Sequence, residues 1–87
     1  MDQTFKVFKA LADETRLAIA KYLSDKKEAS CQELSKNFSL SQPTLSHHFK
    51  KLADAGIIIE RKEGVSHFYK LDISLLKKAG INLQSIK

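Results

Sequence analysis

Apolar positions in the first third of the chain recur at helical spacing. One set predicts a first helix, and a second set, after the capping residue Asp13, predicts another. The two sets are Phe5, Phe8, Leu11 and Ala12, followed by Leu17, Ala20 and Leu23. The polar residues 24–29 are then predicted to connect the second helix to the next element.

A capping-box pattern marks the start of a third helix. Ser30 and Glu33 stand three residues apart ahead of the apolar Leu34 and Phe38. In this S-x-x-E arrangement, each side chain accepts a hydrogen bond from a backbone N–H of the first turn. Residues 39–41 then suit a tight turn into a fourth helix, and the two helices with their turn predict a helix-turn-helix unit.

Residues 41–56 carry the start and stop signals of a short amphipathic helix. Ser41 or Gln42 can cap its start, Pro43 is tolerated in the first turn, and Gly56 supplies a left-handed stop. Its apolar stripe consists of Leu45, Phe49 and Leu52. The opposite face is polar and suits nucleic acid. The candidate DNA-binding residues on it are Gln42, Thr44, Ser46, His47, Lys50 and Lys51.

The beginning of this fourth helix is the end that reaches deepest into a major groove. Gln42 and Thr44 are therefore candidate base readers, because a Gln amide can pair bidentately with adenine. The same side chains could instead cap or solvate the helix. His47 lies on the polar face, whereas His48 lies at the edge of the apolar stripe and is predicted to be structural. Adjacent helical side chains diverge by about 100°, so the two histidines do not predict a metal site.

The chain after residue 57 changes to strand-like composition. Residues 57–62 are rich in β-branched side chains, and residues 65–71 alternate in strand fashion after a possible turn at Glu63-Gly64. This pattern predicts a β-hairpin wing. Arg61 and Lys62 lie near its tip, where they could contact phosphates. Asp72 can cap a final helix. The apolar side of that helix, predicted to pack against a partner subunit, is formed by Ile73, Leu76, Ala79 or Gly80, and Leu83.

Length and charge narrow the possible functions. Eighty-seven residues, 43% of them hydrophobic, describe one folded domain, 1–87. Such a small domain with one cysteine gains stability by pairing with a second copy, so a homodimer is predicted, through Phe5, Phe8 and the final helix. The net charge of +5 favours a polyanionic partner. We expect a cytoplasmic protein without a membrane partner, because no signal peptide or spanning segment is visible.

The sequence carries none of the motifs that indicate catalysis. It lacks a glycine-rich phosphate loop, a nucleophile elbow and a convincing acid–base pair, and it has only three glycines. No enzyme activity and no cofactor are therefore predicted. The main alternative to DNA binding is a winged-helix module that contacts another protein, since one fold can serve both purposes.

Over nearly its whole length the chain resembles the ArsR family of small winged-helix transcriptional regulators. Residues 8–17 (FKALADETRL) resemble its opening pattern, residues 33–57 its core pattern and residues 61–71 its wing. The resemblance implies a mainly α winged helix-turn-helix with a small β-hairpin, in the order ααααββα. It also implies a dimeric repressor that binds an inverted-repeat operator in double-stranded DNA and is released by a signal.

The chain departs from the family where its metal sensors bind their ligands. Those sensors commonly carry a Cys-x-Cys pair at the third helix, or Asp and His on the final helix. Here Cys31 stands alone, and after Asp72 no further His, Cys, Asp or Glu occurs. Metal sensing is therefore disfavoured. Cys31 is expected to be a structural thiol, with a thiol-responsive regulator acting through Cys31 kept as an alternative.

Overall fold

The computed structural model describes residues 3–86, which form five α-helices, three strands and a 3₁₀ turn. Residues 1, 2 and 87 of the predicted domain lie outside the described residues. In chain order the elements are α1 (Gln3–Leu11), α2 (Glu14–Lys26), β1 (Ala29–Ser30), α3 (Cys31–Phe38), α4 (Gln42–Asp54), β2 (Ile58–Glu63), β3 (Ser66–Leu71), α5 (Ile73–Lys78) and the 3₁₀ turn (Leu83–Ser85). This order confirms the predicted mainly helical winged helix-turn-helix.

The helix-turn-helix is formed by α3 and α4, and local signals fix both sides of its turn. Ser39 adopts a left-handed conformation (φ 53°) that ends α3. Ser41 caps α4, where its Oγ accepts a 3.3 Å hydrogen bond from the backbone N–H of Thr44. Gly56, at φ 80°, ends the segment, and the next N–H, of Ile57, donates to the carbonyl of Leu52. The expected start and stop of this helix are therefore confirmed.

Three other helices begin at the capping residues that the sequence predicts. The side chains of Asp13, Ser30 and Asp72 each accept a hydrogen bond from a backbone N–H three residues later. Glu33, however, does not serve the local cap. Its carboxylate accepts a hydrogen bond from the Tyr22 hydroxyl and so links α3 to α2.

The segment between α2 and α3 differs from the prediction. Helix α2 continues to Lys26, so the first half of the predicted connection is helical. Two residues that follow, Ala29 and Ser30, form β1, which pairs with β3 opposite Tyr69 and Phe68. The sheet order is β1-β3-β2, and all pairs are antiparallel. A two-residue strand is too short to show alternation in sequence, and its partner is distant along the chain.

The predicted final helix is wrong in length and in the direction of its apolar side. α5 ends at Lys78, and Gly80 (φ 75°) turns the chain into the separate 3₁₀ turn. Leu76 and Leu83 are only 3% and 4% exposed, because they pack into the core of their own protomer. They do not face outward as expected. Ile73 does, with half of its surface exposed.

The hydrophobic core lies between the helices and one face of the sheet. The apolar stripe predicted for α4 is buried as expected, with Leu45, Phe49 and Leu52 in the core cluster. The ring of Phe49 packs on that of Tyr69 in β3, with centroids 4.1 Å apart. This contact fixes α4 directly against the wing.

Candidate nucleic-acid interface

The structure brings six of the predicted site residues together on α4. The apolar stripe of α4 is buried, so the helix presents its polar side to solvent. The exposed residues are Gln42, Thr44, Ser46, His47, Lys50 and Lys51. They run along nearly the whole helix and form a surface that is available to a large ligand. We call this surface the α4 polar face.

The two candidate base readers at the start of α4 differ in their local bonding. The hydroxyl of Thr44 accepts a 3.0 Å hydrogen bond from Ser41 Oγ, so it is already part of the cap. The amide of Gln42 makes no hydrogen bond to any of residues 3–86. Gln42 therefore has its full donor and acceptor capacity available, and it extends from the first helical position.

The two lysines of the α4 polar face also differ. Lys50 Nζ lies 3.5 Å from Asp54 Oδ2, and both side chains are mostly exposed. Such a surface pair contributes about 0–1 kcal/mol, so Lys50 can exchange this carboxylate for another anion at little cost. Lys51 forms no ion pair with the described part of the chain.

His48 lies on the other side of α4, where it meets a largely buried arginine. Nη1 of Arg16 is 3.4 Å from His48 Nδ1, and Nε of Arg16 donates a 2.7 Å hydrogen bond to the carbonyl of Ala10. Arg16 also pairs with Asp13. The main cause that lowers the pKa of Asp13 is the hydrogen bond that its carboxylate accepts from the backbone N–H of Arg16. These contacts support the structural role predicted for His48 and join α1, α2 and α4.

Sequence reasoning did not single out Arg16. The available signal is its i, i+3 spacing from the capping Asp13, which favours an ion pair on the helix surface. That spacing gives no indication of the contacts to Ala10 and His48, which depend on how the helices pack.

The two predicted wing residues lie on opposite faces of the sheet. Arg61 stands opposite Phe68 and Lys62 stands opposite His67 in the β2–β3 pairing, and neighbouring strand residues point to opposite sides. Lys62 shares its face with Tyr69, which packs on α4. It is exposed and makes no ion pair within residues 3–86.

Arg61 is engaged by other groups of the protein. Its Nη2 lies 2.9 Å from Glu28 Oε1, its Nη1 contacts Glu63, and its guanidinium lies 4.5 Å from the centroid of the Phe68 ring. The hydrogen bonds to Glu28 and then Glu63 raise the pKa of Arg61. The sequence did not reveal these contacts, because Glu28 lies 33 positions away.

A polar cluster on the α4 side of the wing was also missed. The carboxylate of Glu60 contacts Nδ1 of His67 and accepts a 3.4 Å hydrogen bond from the Tyr69 hydroxyl. The bond to His67 is the main cause that lowers the pKa of Glu60. Burial, followed by the charge of Glu60, raises the pKa of Tyr69 to about 12. Glu60 and Tyr69 are cross-strand neighbours, so this cluster holds β2 and β3 together.

Cys31 begins α3 and is partly buried. Burial and then the nearby charge of Glu60 raise its pKa, so the thiol is mostly protonated at neutral pH and is a weak nucleophile. Within residues 3–86 no group of three or more His, Cys, Asp and Glu side chains is arranged to hold a metal ion. None of the helices in that range is long and apolar enough to cross a membrane.

An apolar surface remains uncovered on the side of α1 that faces away from the core. Phe5 and Phe8 are 53% and 52% exposed. Phe8 and the partly exposed Ile86 line one open groove of about 360 Å³. Exposed aromatic side chains that lie close together indicate a protein contact surface.

A helix-turn-helix with an exposed polar second helix, followed by a β-hairpin, defines the class of winged helix-turn-helix proteins. The model of the bacterial regulatory protein arsR family matches residues 13–60. This chain belongs to the ArsR family of DNA-binding transcriptional regulators. Proteins of this family are regulators and not enzymes, in agreement with the expectation from the sequence.

Individual relatives agree with this assignment. The chain is 40% identical over 80 residues to the arsenical resistance operon repressor of Staphylococcus aureus, and the match covers 92% of this chain and 76% of the relative. HlyU from Vibrio cholerae superposes with a TM-score of 0.79 at 35% identity, covering 90% of this chain and 85% of HlyU. A homodimeric winged helix-turn-helix DNA-binding domain from Mycobacterium bovis gives a TM-score of 0.80 at 25% identity, covering 91% and 73%.

Proposed function

We propose that this protein is a dimeric repressor that binds a pseudo-palindromic operator in double-stranded DNA and acts in the cytoplasm. The observation that carries the proposal is the α4 polar face, which is exposed along its length while the opposite side of the helix is buried. A helix of this kind fits the major groove, where each base pair presents a distinct pattern of donors and acceptors. The repressor activity named for the Staphylococcus aureus relative supports the direction of regulation.

Within this proposal, the residues of α4 have two roles. Gln42, Thr44, Ser46 and His47 contact base edges, and the free amide of Gln42 makes it the principal reader. Lys50 and Lys51 contact phosphates, which fix the position of the helix without reading sequence.

The wing contributes a further contact in this proposal. Lys62 lies on the side of the sheet that packs on α4 and is free to contact a phosphate. Arg61 is paired with Glu28 and Glu63, so we assign it mainly to holding the shape of the hairpin.

The dimer in this proposal is formed by α1 with the C-terminal segment. Phe5, Phe8 and Ile73 each expose about half of their surface in the protomer, and a second copy could cover them. The homodimeric state named for the Mycobacterium bovis domain supports this assembly. Two-fold symmetry would place the two α4 helices in successive major grooves about 34 Å apart. The lone Cys31, with its raised pKa, gives no support to a paired-thiol sensor in α3.

Selection from fragmented genomic DNA at physiological salt tests this function. Purified protein should enrich duplexes that contain an inverted repeat, and sizing of the complex should give two chains per site. The matched comparison is Gln42→Ala, which keeps the net charge and should lose preference for particular base pairs. Enrichment of single half-sites bound by one chain would contradict the dimer, and no enrichment would favour a protein-contact module.

A further inference from the structure

The solvent side of α1 is divided lengthwise into an apolar and a basic half. Val7, Ala10 and Leu11 bury the inner side of this helix. At about 100° per residue, Phe5 and Phe8 fall on one half of the outer side, and Lys9 and Lys6 fall on the other. The basic half adjoins α4, since Lys6 and Lys9 line one groove together with Lys51 and Asp54 of α4.

This α1–α4 groove has a volume of about 240 Å³ and is open to solvent. Ala10 of α1 and Ala55, at the end of α4, line it as well, and both are nearly buried. Their small side chains leave space where larger residues would fill the gap between the helices. The remaining lining group is Arg16.

The charges of the groove are not balanced within the protein. Arg16 is directed to Ala10, Asp13 and His48, and Asp54 pairs with Lys50. Lys6, Lys9 and Lys51 make no ion pair within residues 3–86. Three lysines that pair with no carboxylate of residues 3–86 therefore line one groove, an arrangement that attracts an anion.

We propose that the α1–α4 groove binds a phosphate group through Lys6, Lys9 and Lys51. The DNA backbone is the source of phosphate that fits the position of the groove. Lys51 belongs both to the α4 polar face and to the groove, so the groove adjoins the proposed DNA-binding surface on the side of α4 that packs against α1. The wing packs on α4 through Phe49, which lies on a different side of the helix from Lys51. This assignment rests on the proposed function. In the proposed dimer, the apolar half of α1 meets its copy, so the two basic halves flank the symmetry axis and contact the backbone between the half-sites.

Salt dependence of DNA binding tests the proposal. The logarithm of the binding constant falls linearly with the logarithm of the salt concentration, and each phosphate contact that a lysine makes increases the magnitude of this slope by about 0.9. The double groove variant Lys6→Gln/Lys9→Gln, which leaves Lys51 of the α4 polar face in place, should lower this slope by about 0.9 for each phosphate that is no longer bound and weaken binding at least about tenfold at physiological salt. The weakening should be equal on the selected operator and on random duplex, because phosphates carry no sequence information.

The matched control is Lys77→Gln/Lys78→Gln, which removes the same charge from α5, away from the groove. It should leave most of the slope unchanged. An equal fall in slope for both double variants would show a general charge effect and overturn the proposal. If wild-type protein selects an inverted repeat but the groove variant keeps the full slope, the groove assignment fails while the proposed function stands. Absence of all DNA binding by the wild type would overturn both.

Inorganic phosphate distinguishes the second source of the same anion. Titration without DNA should produce only weak changes in the amide resonances of α1 and α4 at millimolar phosphate, since a single free anion gains little from exposed lysines. Saturable micromolar binding that the groove variant abolishes, together with an unchanged DNA slope, would overturn the DNA backbone as the source.

Discussion

Arg16 in α2 contacts His48 in α4 through Nη1 and Nδ1, which are 3.4 Å apart. A guanidinium only donates, so the Nδ1 of His48 must be the acceptor in this contact. Arg16 also donates a hydrogen bond to the carbonyl of Ala10, in the last turn of α1, and forms an ion pair with Asp13, which caps α2. One side chain therefore connects the helix proposed to read DNA with the helix proposed to form the dimer.

Replacing Arg16 with Lys tests this connection. The charge is kept, but one ammonium group cannot reproduce three contacts in different directions. We expect the free energy of unfolding to fall by about 1–3 kcal/mol, as measured by urea denaturation. Lys50→Ala removes only the exposed pair with Asp54 and should change stability by less than about 0.5 kcal/mol. Equal decreases for the two variants would show that Arg16 has no special role.

Asp13 gives the chain an acid-sensitive contribution to stability. Its pKa is lowered in the folded state, so the stabilising effect is present above the ordinary carboxyl pKa and is lost as the pH falls through the lowered value. Asp13→Asn keeps a cap but removes the titration. Its unfolding free energy, measured across the acid range from neutral pH downward, should fall less steeply than that of the wild type. Parallel curves would contradict the assignment.

Gly56 and Gly64 form a matched pair for backbone strain. Both have positive φ, at 80° and 62°. A Cβ at Gly56 would lie 2.8 Å from Leu75 Cδ1 and 2.9 Å from Gln3 Nε2, whereas nothing lies within 4 Å at Gly64. Gly64→Ala should cost about 1 kcal/mol of stability, and Gly56→Ala about 1–2 kcal/mol more. Thermal unfolding of both variants gives the comparison, and equal costs would mean that the Gly56 neighbours move aside.

Gln42 and Lys62 should affect DNA binding in different ways. Gln42→Ala should lower discrimination at particular base pairs by about 1–3 kcal/mol. Lys62→Ala should weaken binding to all sequences by a similar factor and reduce the salt slope by about 1. Competition binding with single-base variants of the selected operator measures both effects. The same effect of both changes on specific and random DNA would disprove this division of roles.

Phe8 provides the test of the dimer surface. Phe8→Glu should raise the dimer dissociation constant at least about tenfold, because burial of a Phe side chain contributes about 1.5–3 kcal/mol. Sedimentation equilibrium measures the change. Val65→Glu is the control. Val65 is 97% exposed at the tip of the hairpin, and its replacement introduces the same charge outside α1. A similar shift for both variants would exclude the α1 surface.

Local signals in the sequence account for much of this fold. Asp13, Ser41 and Gly56 act on their own neighbouring backbone, so they could be recognised without knowing the tertiary structure. The same holds for the buried stripe of α4, whose period follows from helix geometry. The exposed α4 polar face is the complement of that stripe and was predictable for the same reason.

Features that depend on distant parts of the chain could not be predicted in this way. β1 exists because its two residues pair with β3. Arg61 pairs with Glu28, which precedes the helix-turn-helix in the sequence. Leu83 reaches the core after the turn at Gly80, which ends a pattern that otherwise continues as a helix. In each case the deciding contact joins residues that local periodicity does not relate.

The internal pairing of Arg61 has a consequence for the kinetics of association. Strand β2 carries Glu60, Arg61, Lys62 and Glu63, two cations and two carboxylates, so the field of this strand nearly cancels at long range. Strand β3 adds one further cation to the wing, Lys70. The three unpaired lysines of the α1–α4 groove have no such compensation within residues 3–86. Long-range attraction speeds encounter and orients the approaching molecules. We therefore expect the α1 and α4 side to meet a polyanion first, and the wing to engage only after the two surfaces are close.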